Sequence, residues 1–154
     1  MVTGKGFGDY STRNLLSRLE RENDNLIFVG ICDYNPSGAS ILLNYKYGSI
    51  SSNFETHFYC VKNLHWLSLL HHDIVSIITQ LPQSQKQILT DYDLRVIESI
   101  CSSPIGKENS TIIDQLARMK LLGFKLELQS LYSLGIKFIV QFLCKKILNK
   151  DWIL

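Results

Sequence analysis

The segment Asp33-Tyr34-Asn35-Pro36-Ser37-Gly38 holds the residue types best placed for chemistry in this 154-residue chain. It follows directly on an apolar run, Leu26 to Cys32. In open α/β sheets the carboxyl end of a strand is where ligands sit. Asp33 reads either as a ligand there or as a turn residue bonding its own backbone. A second cluster, Gly4-Lys5-Gly6-Phe7-Gly8, sets three glycines beside a lysine. Backbone N–H groups in such a loop could cradle a phosphate. Its spacing fits neither the P-loop nor the dinucleotide fingerprint, so a generic Gly-rich turn is the simpler reading. His57, His65, His71 and His72 lack companion ligands at metal-site spacing and read as ordinary polar histidines.

The elements that must present these residues follow an α/β pattern. Leu26 to Cys32, rich in Ile, Val and Phe, predicts a strand buried on both faces, as in a parallel sheet. Asn35 is a good N-cap and Pro36 suits the first helical position, so a helix is expected to run to Tyr47, with Gly48 as its left-handed cap. Before the strand, Leu15, Leu16 and Leu19 mark one buried stripe of a helix over Ser11 to Glu22. Phe58 to Leu64 reads as a further strand, with His65-Trp66-Leu67 continuing or turning it. Thr90 or Asp91 caps a helix through Ile100, and Ser102 to Gly106 reads as a loop. Helices are then expected from Ser110 or Thr111 to Leu122, over Phe124 to Leu134, and from Ile136 to Leu148 with Gly135 as the hinge. Met1-Val2-Thr3 resembles the last residues of a strand, so the chain is expected to be N-terminally truncated, its sheet left with an unpaired edge.

Composition bounds the function. An apolar share of 45% supports one domain with a real core. No apolar run approaches the ~18 residues of a membrane span, and no membrane partner is expected. The net charge of +2 is too small to argue for nucleic acid, although residues 105–154 carry eight basic against four acidic side chains. Cys32, Cys60, Cys101 and Cys144 are scattered, form no C-x-x-C pair, and read as reduced core thiols.

Taken in order, these pieces resemble the topoisomerase VI A subunit family, which includes the eukaryotic protein that makes meiotic DNA double-strand breaks. Thr3-Gly4-Lys5-Gly6-Phe7, Asp9 and Thr12-Arg13 resemble its T-G-K-G-Y-P-D…T-R segment. Asp33-Tyr34-Asn35-Pro36-Ser37-Gly38 is similar to D-x-D-P-x-G, and Tyr45-Lys46-Tyr47-Gly48-Ser49 to Y-K-Y-G-S. Leu64-His65-Trp66-Leu67 is similar to the W-L-G segment, and Lys125 to Leu131 to the late K-x-E-I-x-x-L helix. The resemblance spans essentially the whole chain.

It implies a Toprim fold, a Rossmann-like parallel sheet flanked by helices with a helical C-terminal part, whose acidic residues hold Mg²⁺. It also implies a tyrosine on a separate winged-helix domain that attacks a DNA phosphodiester, and a dimer that cuts both strands in the nucleus. That upstream domain, with a further Toprim glutamate, is expected to be absent from residues 1–154, and no tyrosine here matches the nucleophile motif. Asp33 is then the first metal ligand and Asn35 the second. Asn35 replaces an aspartate, so its amide oxygen brings no charge and weakens the site. Lys5, Arg13 and Lys46 are the expected contacts to DNA phosphates. Gly8 and Ser68 stand where the family has proline and glycine. The readings are therefore the DNA-breaking Toprim part of a type IIB topoisomerase-like enzyme, or a non-catalytic Toprim module for dimerisation or DNA binding. A generic nucleotide binder rests on the Gly-rich loop alone.

Overall fold

A computed structural model describes residues 1–3, 10–48 and 59–153. The Gly-rich loop with Lys5, and also His57, Phe58 and Ser49, lie outside them.

Helix α1 (Tyr10–Glu22) leads into strand β1 (Phe28–Gly30), helix α2 (Pro36–Tyr47) and strand β2 (Leu64–Trp66). The two strands pair in parallel with Phe28 opposite Leu64, Val29 opposite His65 and Gly30 opposite Trp66. A parallel pair needs a long crossover, and α2 lies within it. The far edge of β2 is closed by the other end of the chain. Ile153 bridges Trp66 antiparallel, with Trp66 N–H donating to the Ile153 carbonyl at 2.8 Å and the reverse bond at 3.1 Å.

The turn into α2 forms as its residue types require. Asn35 is extended, and its Oδ1 accepts the Gly38 N–H at 2.6 Å, with Pro36 just inside the helix. Glycine at 38 is required by space, since a Cβ there would lie 2.5 Å from the Asp33 carbonyl oxygen. Gly48, at φ 90°, ends the helix. Ser68, fully buried, donates its hydroxyl to the Cys32 carbonyl and so ties the segment after β2 to the end of β1. A glycine there would lack that bond.

The remaining elements form a mostly helical half. They are α3 (His71–Ile77), a single 3-10 turn (Gln83–Gln85), β3 (Gln87–Ile88), α4 (Asp91–Ser102), α5 (Pro104–Glu108), α6 (Ser110–Leu122), β4 (Phe124–Lys125), a 3-10 helix (Leu128–Leu134) and α7 (Ile136–Leu148). Strands β3 and β4 pair antiparallel. Gly123, at φ 74°, ends α6 in the left-handed conformation, and Gly135, at φ 89°, precedes α7. Trp66, Tyr34, Ile74, Leu116, Met119 and Leu126 are fully buried, so one core spans both halves.

Four expectations are corrected. Strand β1 is shorter than Leu26 to Cys32, and Ile27, Val29 and Ile31 are 51%, 37% and 44% exposed. Apolar composition records a need for cover without naming the segment that supplies it, and here only β2 pairs with β1 among the described residues. The second strand is Leu64–Trp66, and residues 59–63, read as part of it, form no strand but a bend and a turn. Ser102 to Gly106 is not a plain loop: Ser103 Oγ accepts the Gly106 N–H at 3.0 Å and starts α5. Phe124 to Leu134 is not one helix, because Phe124 and Lys125 are drawn into pairing with β3 and Leu126 bridges Tyr34.

Asp93 fastens the helical half. Of the two expected caps, Thr90 is the one that forms, and it does so in a capping box, with Asp93 N–H donating to Thr90 Oγ1 at 3.2 Å. The Asp93 carboxylate accepts Thr90 N–H at 2.8 Å, Thr90 Oγ1 at 2.7 Å and Lys125 Nζ at 2.6 Å. Burial raises the Asp93 carboxyl, but the bonds from Lys125 and Thr90 outweigh it and hold the group below the ordinary carboxylate range. A depressed carboxyl stabilises the fold above its unfolded value of about 3.9 and loses that contribution as pH falls through the folded value.

Asp93→Asn is therefore expected to cost roughly 1–3 kcal/mol at neutral pH and to flatten the acid limb of a urea-unfolding series. Gly38→Ala, which crowds the Asp33 carbonyl, should lower stability by about 1–3 kcal/mol, read as a fall in thermal midpoint.

Candidate metal site and its surroundings

Strand β1 ends against a cavity of about 720 Å³ whose walls include Thr12 and Leu16 of α1, Ile31, Asp33, Asn35 and Ser37. Two of the sequence-predicted site residues, Asp33 and Asn35, thus share one wall. Asp33 does not bond its own turn. Its Oδ1 accepts the N–H of Leu128, 95 residues further on, at 2.7 Å. A carboxylate has about four lone-pair sites, so this bond holds the group in place and leaves capacity for a cation. Asn35 Oδ1 is already an acceptor for Gly38 N–H, and an amide oxygen keeps one further lone pair. No lysine, arginine or histidine lines the cavity among the described residues. Among the described residues nothing of that kind competes for the carboxylate, and Mg²⁺ is satisfied by one or two protein oxygens plus water and phosphate oxygens. The residues present fit a weakly held Mg²⁺.

Of the predicted cations, Arg13 and Lys46 are elsewhere, and Lys5 lies outside the described residues. Lys46, half-buried on α2, donates to the carbonyls of Lys62 and Leu64, each at 2.8 Å. It thereby pins the chain leading into β2. Burial pushes its ammonium down in pKa, while Glu20 works to raise it. Glu20 in turn accepts the Lys62 and Asn63 N–H groups at 3.1 and 2.5 Å. Arg13 lies near Cys60, where its charge opposes the burial that pushes the thiol up. Arg13 and Lys46 both belong to this neighbourhood of α1, α2 and the start of β2, and neither lines the Asp33 cavity.

The nucleophile candidates are quiet. Burial, with a smaller contribution from Asp33, pushes the Cys32 thiol well up, so no thiolate is available beside Asp33. All four cysteines are free, as expected, although Cys144 is exposed rather than a core thiol. Tyr34 is fully buried and its phenol is likewise raised, chiefly by burial. Tyr47 donates to Asn109 Oδ1 at 2.7 Å, and Tyr10 packs on Tyr59.

One group of ligand types escaped the sequence reading. His72, Asp73 and Asp151 bring ligand atoms within 4.8 Å of one another. Lys146 fills the place a metal would take: its ammonium sits 2.5 Å from Asp73 and 3.4 Å from Asp151, and only 2% of the residue is exposed. Burial raises Asp151, but bonding from His72 and the Lys146 charge outweigh it and hold the carboxyl down. The cluster is an ion-pair clasp between α3 and the end of α7. With Asp73 and Lys146 so far apart in the chain, no local pattern announces it.

Comparison with known proteins agrees with the motif order. The family model for the Toprim domain of the topoisomerase 6 A-subunit and Spo11 matches residues 1–147. The chain is 35% identical over 153 residues to "Meiotic recombination protein SPO11-2" of Oryza sativa subsp. indica, covering 99% of this chain and 38% of that protein. It is 32% identical over 154 residues to "Meiotic recombination protein SPO11" of Mus musculus, with 99% and 38% covered. With the A3 subunit of DNA topoisomerase 6 from Oryza sativa subsp. indica it shares 27% over 154 residues, covering 99% and 34%. The chain spans little more than a third of the length of these relatives. Its α/β architecture, parallel pair and carboxylate at the end of β1 accord with the match, and the chain belongs to the family of the topoisomerase 6 A-subunit and Spo11, of which it carries the Toprim domain.

Proposed function

We propose that this Toprim domain acts on DNA as part of a type IIB topoisomerase-like, double-strand-breaking protein of meiotic recombination, working on chromosomes in the nucleus. Asp33, with Asn35 beside it, holds a Mg²⁺ ion against the DNA backbone. The observation that carries this reading is the shared cavity wall at the carboxyl end of β1, where Asp33 is fixed by Leu128 and no cationic side chain intrudes among the described residues. When bound, Mg²⁺ neutralises charge on phosphate oxygens. Asp33 supplies the anionic ligand and is kept from rotating away by its backbone bond. Asn35 adds a neutral oxygen while still capping α2. Lys5 and Arg13 contact neighbouring phosphates. Lys46, tied to two carbonyls, contributes chiefly through its charge. By the family resemblance, the attacking tyrosine belongs to a winged-helix domain distinct from this one, and a homodimer or partner subunit completes the two-strand cut.

A second reading is a Toprim module that binds DNA or dimerises without catalysis. The internal bonds of Asn35 and Lys46 favour it, because both groups already have structural work.

Magnesium titration followed by amide NMR tests the first reading. Weak, saturable shifts are expected around Asp33 and Asn35, with affinity reduced by at least about tenfold in Asp33→Ala. Binding that is unaffected by that substitution would remove the site, and DNA binding with no magnesium response would favour the module. Duplex affinity should also fall steeply with salt. The Lys5→Ala/Arg13→Ala double variant is expected to lower both the affinity and the salt slope, by about one unit for each phosphate no longer neutralised; an unchanged slope would reject those contacts.

A further inference from the structure

Leu128 holds the tip of the Asp33 side chain, and a second contact holds its base. In the parallel pair Gly30 lies opposite Trp66, and the Leu67 N–H donates to the Gly30 carbonyl at 3.1 Å. Both strands end there. Two residues further along each segment the same register brings Ser68 to Cys32, and a side chain takes over the pairing: the Ser68 hydroxyl donates to the Cys32 carbonyl. Ser68 is fully buried. Removing the donor would leave a carbonyl without its partner in the interior, so the bond is costly to break.

The consequence for Asp33 follows from the planarity of the peptide bond. The Cys32 carbonyl oxygen, the Asp33 nitrogen and the Asp33 Cα belong to one rigid plane. A bond to that oxygen therefore fixes the plane that carries the Asp33 Cα. At the other end, Asp33 Oδ1 accepts the Leu128 N–H at 2.7 Å. The next carbonyl, that of Tyr34, accepts the Leu126 N–H at 3.0 Å, which stops the turn from pivoting. One side chain is thus anchored at its base by the segment after β2 and at its tip by the 3-10 helix. Its second carboxylate oxygen has little freedom left. That matters unequally to hard cations, because Mg²⁺ demands near-octahedral geometry whereas Ca²⁺ accepts a flexible one. Resting on the Mg²⁺ site proposed above, we infer that Ser68 is a positioning residue for Asp33 and that its bond makes the site discriminate Mg²⁺ from Ca²⁺.

The test titrates the full chain with magnesium chloride and, separately, with calcium chloride, followed by amide NMR. The unaltered chain should bind Mg²⁺ at least as tightly as Ca²⁺. Ser68→Ala should weaken Mg²⁺ by about tenfold, as loss of a group that orients a ligand does, and Ca²⁺ by less than about threefold. Ser103 supplies the control. Its buried hydroxyl donates to the Ile100 carbonyl at 2.7 Å, and it does not line the Asp33 cavity. Ser103→Ala should lower the thermal midpoint as Ser68→Ala does and leave both affinities unchanged. Mg²⁺ and Ca²⁺ weakened alike by Ser68→Ala, Mg²⁺ affinity unchanged in it, or the same loss in Ser103→Ala overturns the inference. Should Ser68→Ala not fold, the unaltered chain decides, and Ca²⁺ bound more tightly than Mg²⁺ rejects the discrimination. Asp33→Ala separates the two proposals. Mg²⁺ binding that survives it removes the site itself, whereas binding lost there but kept in Ser68→Ala rejects the role of Ser68 alone.

Discussion

Two bonds between residues far apart in the chain hold this fold in register. The Leu126 N–H reaches the Tyr34 carbonyl at 3.0 Å, and the Leu128 N–H reaches Asp33 Oδ1 at 2.7 Å. Together they pin the turn after β1 to the strand-like segment before the 3-10 helix. The parallel pair of β1 and β2 is only three residues long, and two short strands are marginal alone. The joint to Leu126 and Leu128 lets the helical half brace that pair through a common core. It also decides where the Asp33 carboxylate points, because a group bonded at one oxygen loses the freedom to swing.

The same economy appears at the edges of the sheet. Ile153 closes one side of β2, and the clasp of Lys146 with Asp73 and Asp151 holds the end of α7 so that residue 153 can reach it. The other side of β1 stays open among the described residues, with Ile27, Val29 and Ile31 exposed. An open apolar edge is a template for another strand, and the Asp33 cavity borders it. Site and edge are therefore one region, so whatever covers β1 also shapes the surroundings of the carboxylate.

Charge is used structurally more often than its position in the chain implies. Lys46, Lys125 and Lys146 each donate to partners inside the fold, and Asp73 and Asp93 are nearly fully buried against two of them. Buried charges of this kind cost too much to leave unpaired, so the pairs dictate which helices face each other. Lys46 in particular sits in a motif that reads as a phosphate contact, while its ammonium closes the approach to β2.

Much of the local structure was legible because short-range chemistry dictates it. Asn35 and Pro36 begin a helix, Thr90 or Asp91 caps another, a third ends at Leu122 and Gly135 precedes a fourth; each is settled by neighbours within four residues. The order of the motifs was equally plain, and with it the family. Phe124 to Leu134 was misread because its helical pattern yields to pairing with β3 and Tyr34, partners no local window contains. The Leu128 bond to Asp33, the diversion of Lys46 and the filling of the His72 cluster by Lys146 were invisible for the same reason. Residue types set what each group can bond, and only the folded chain determines which distant partner arrives to bond it.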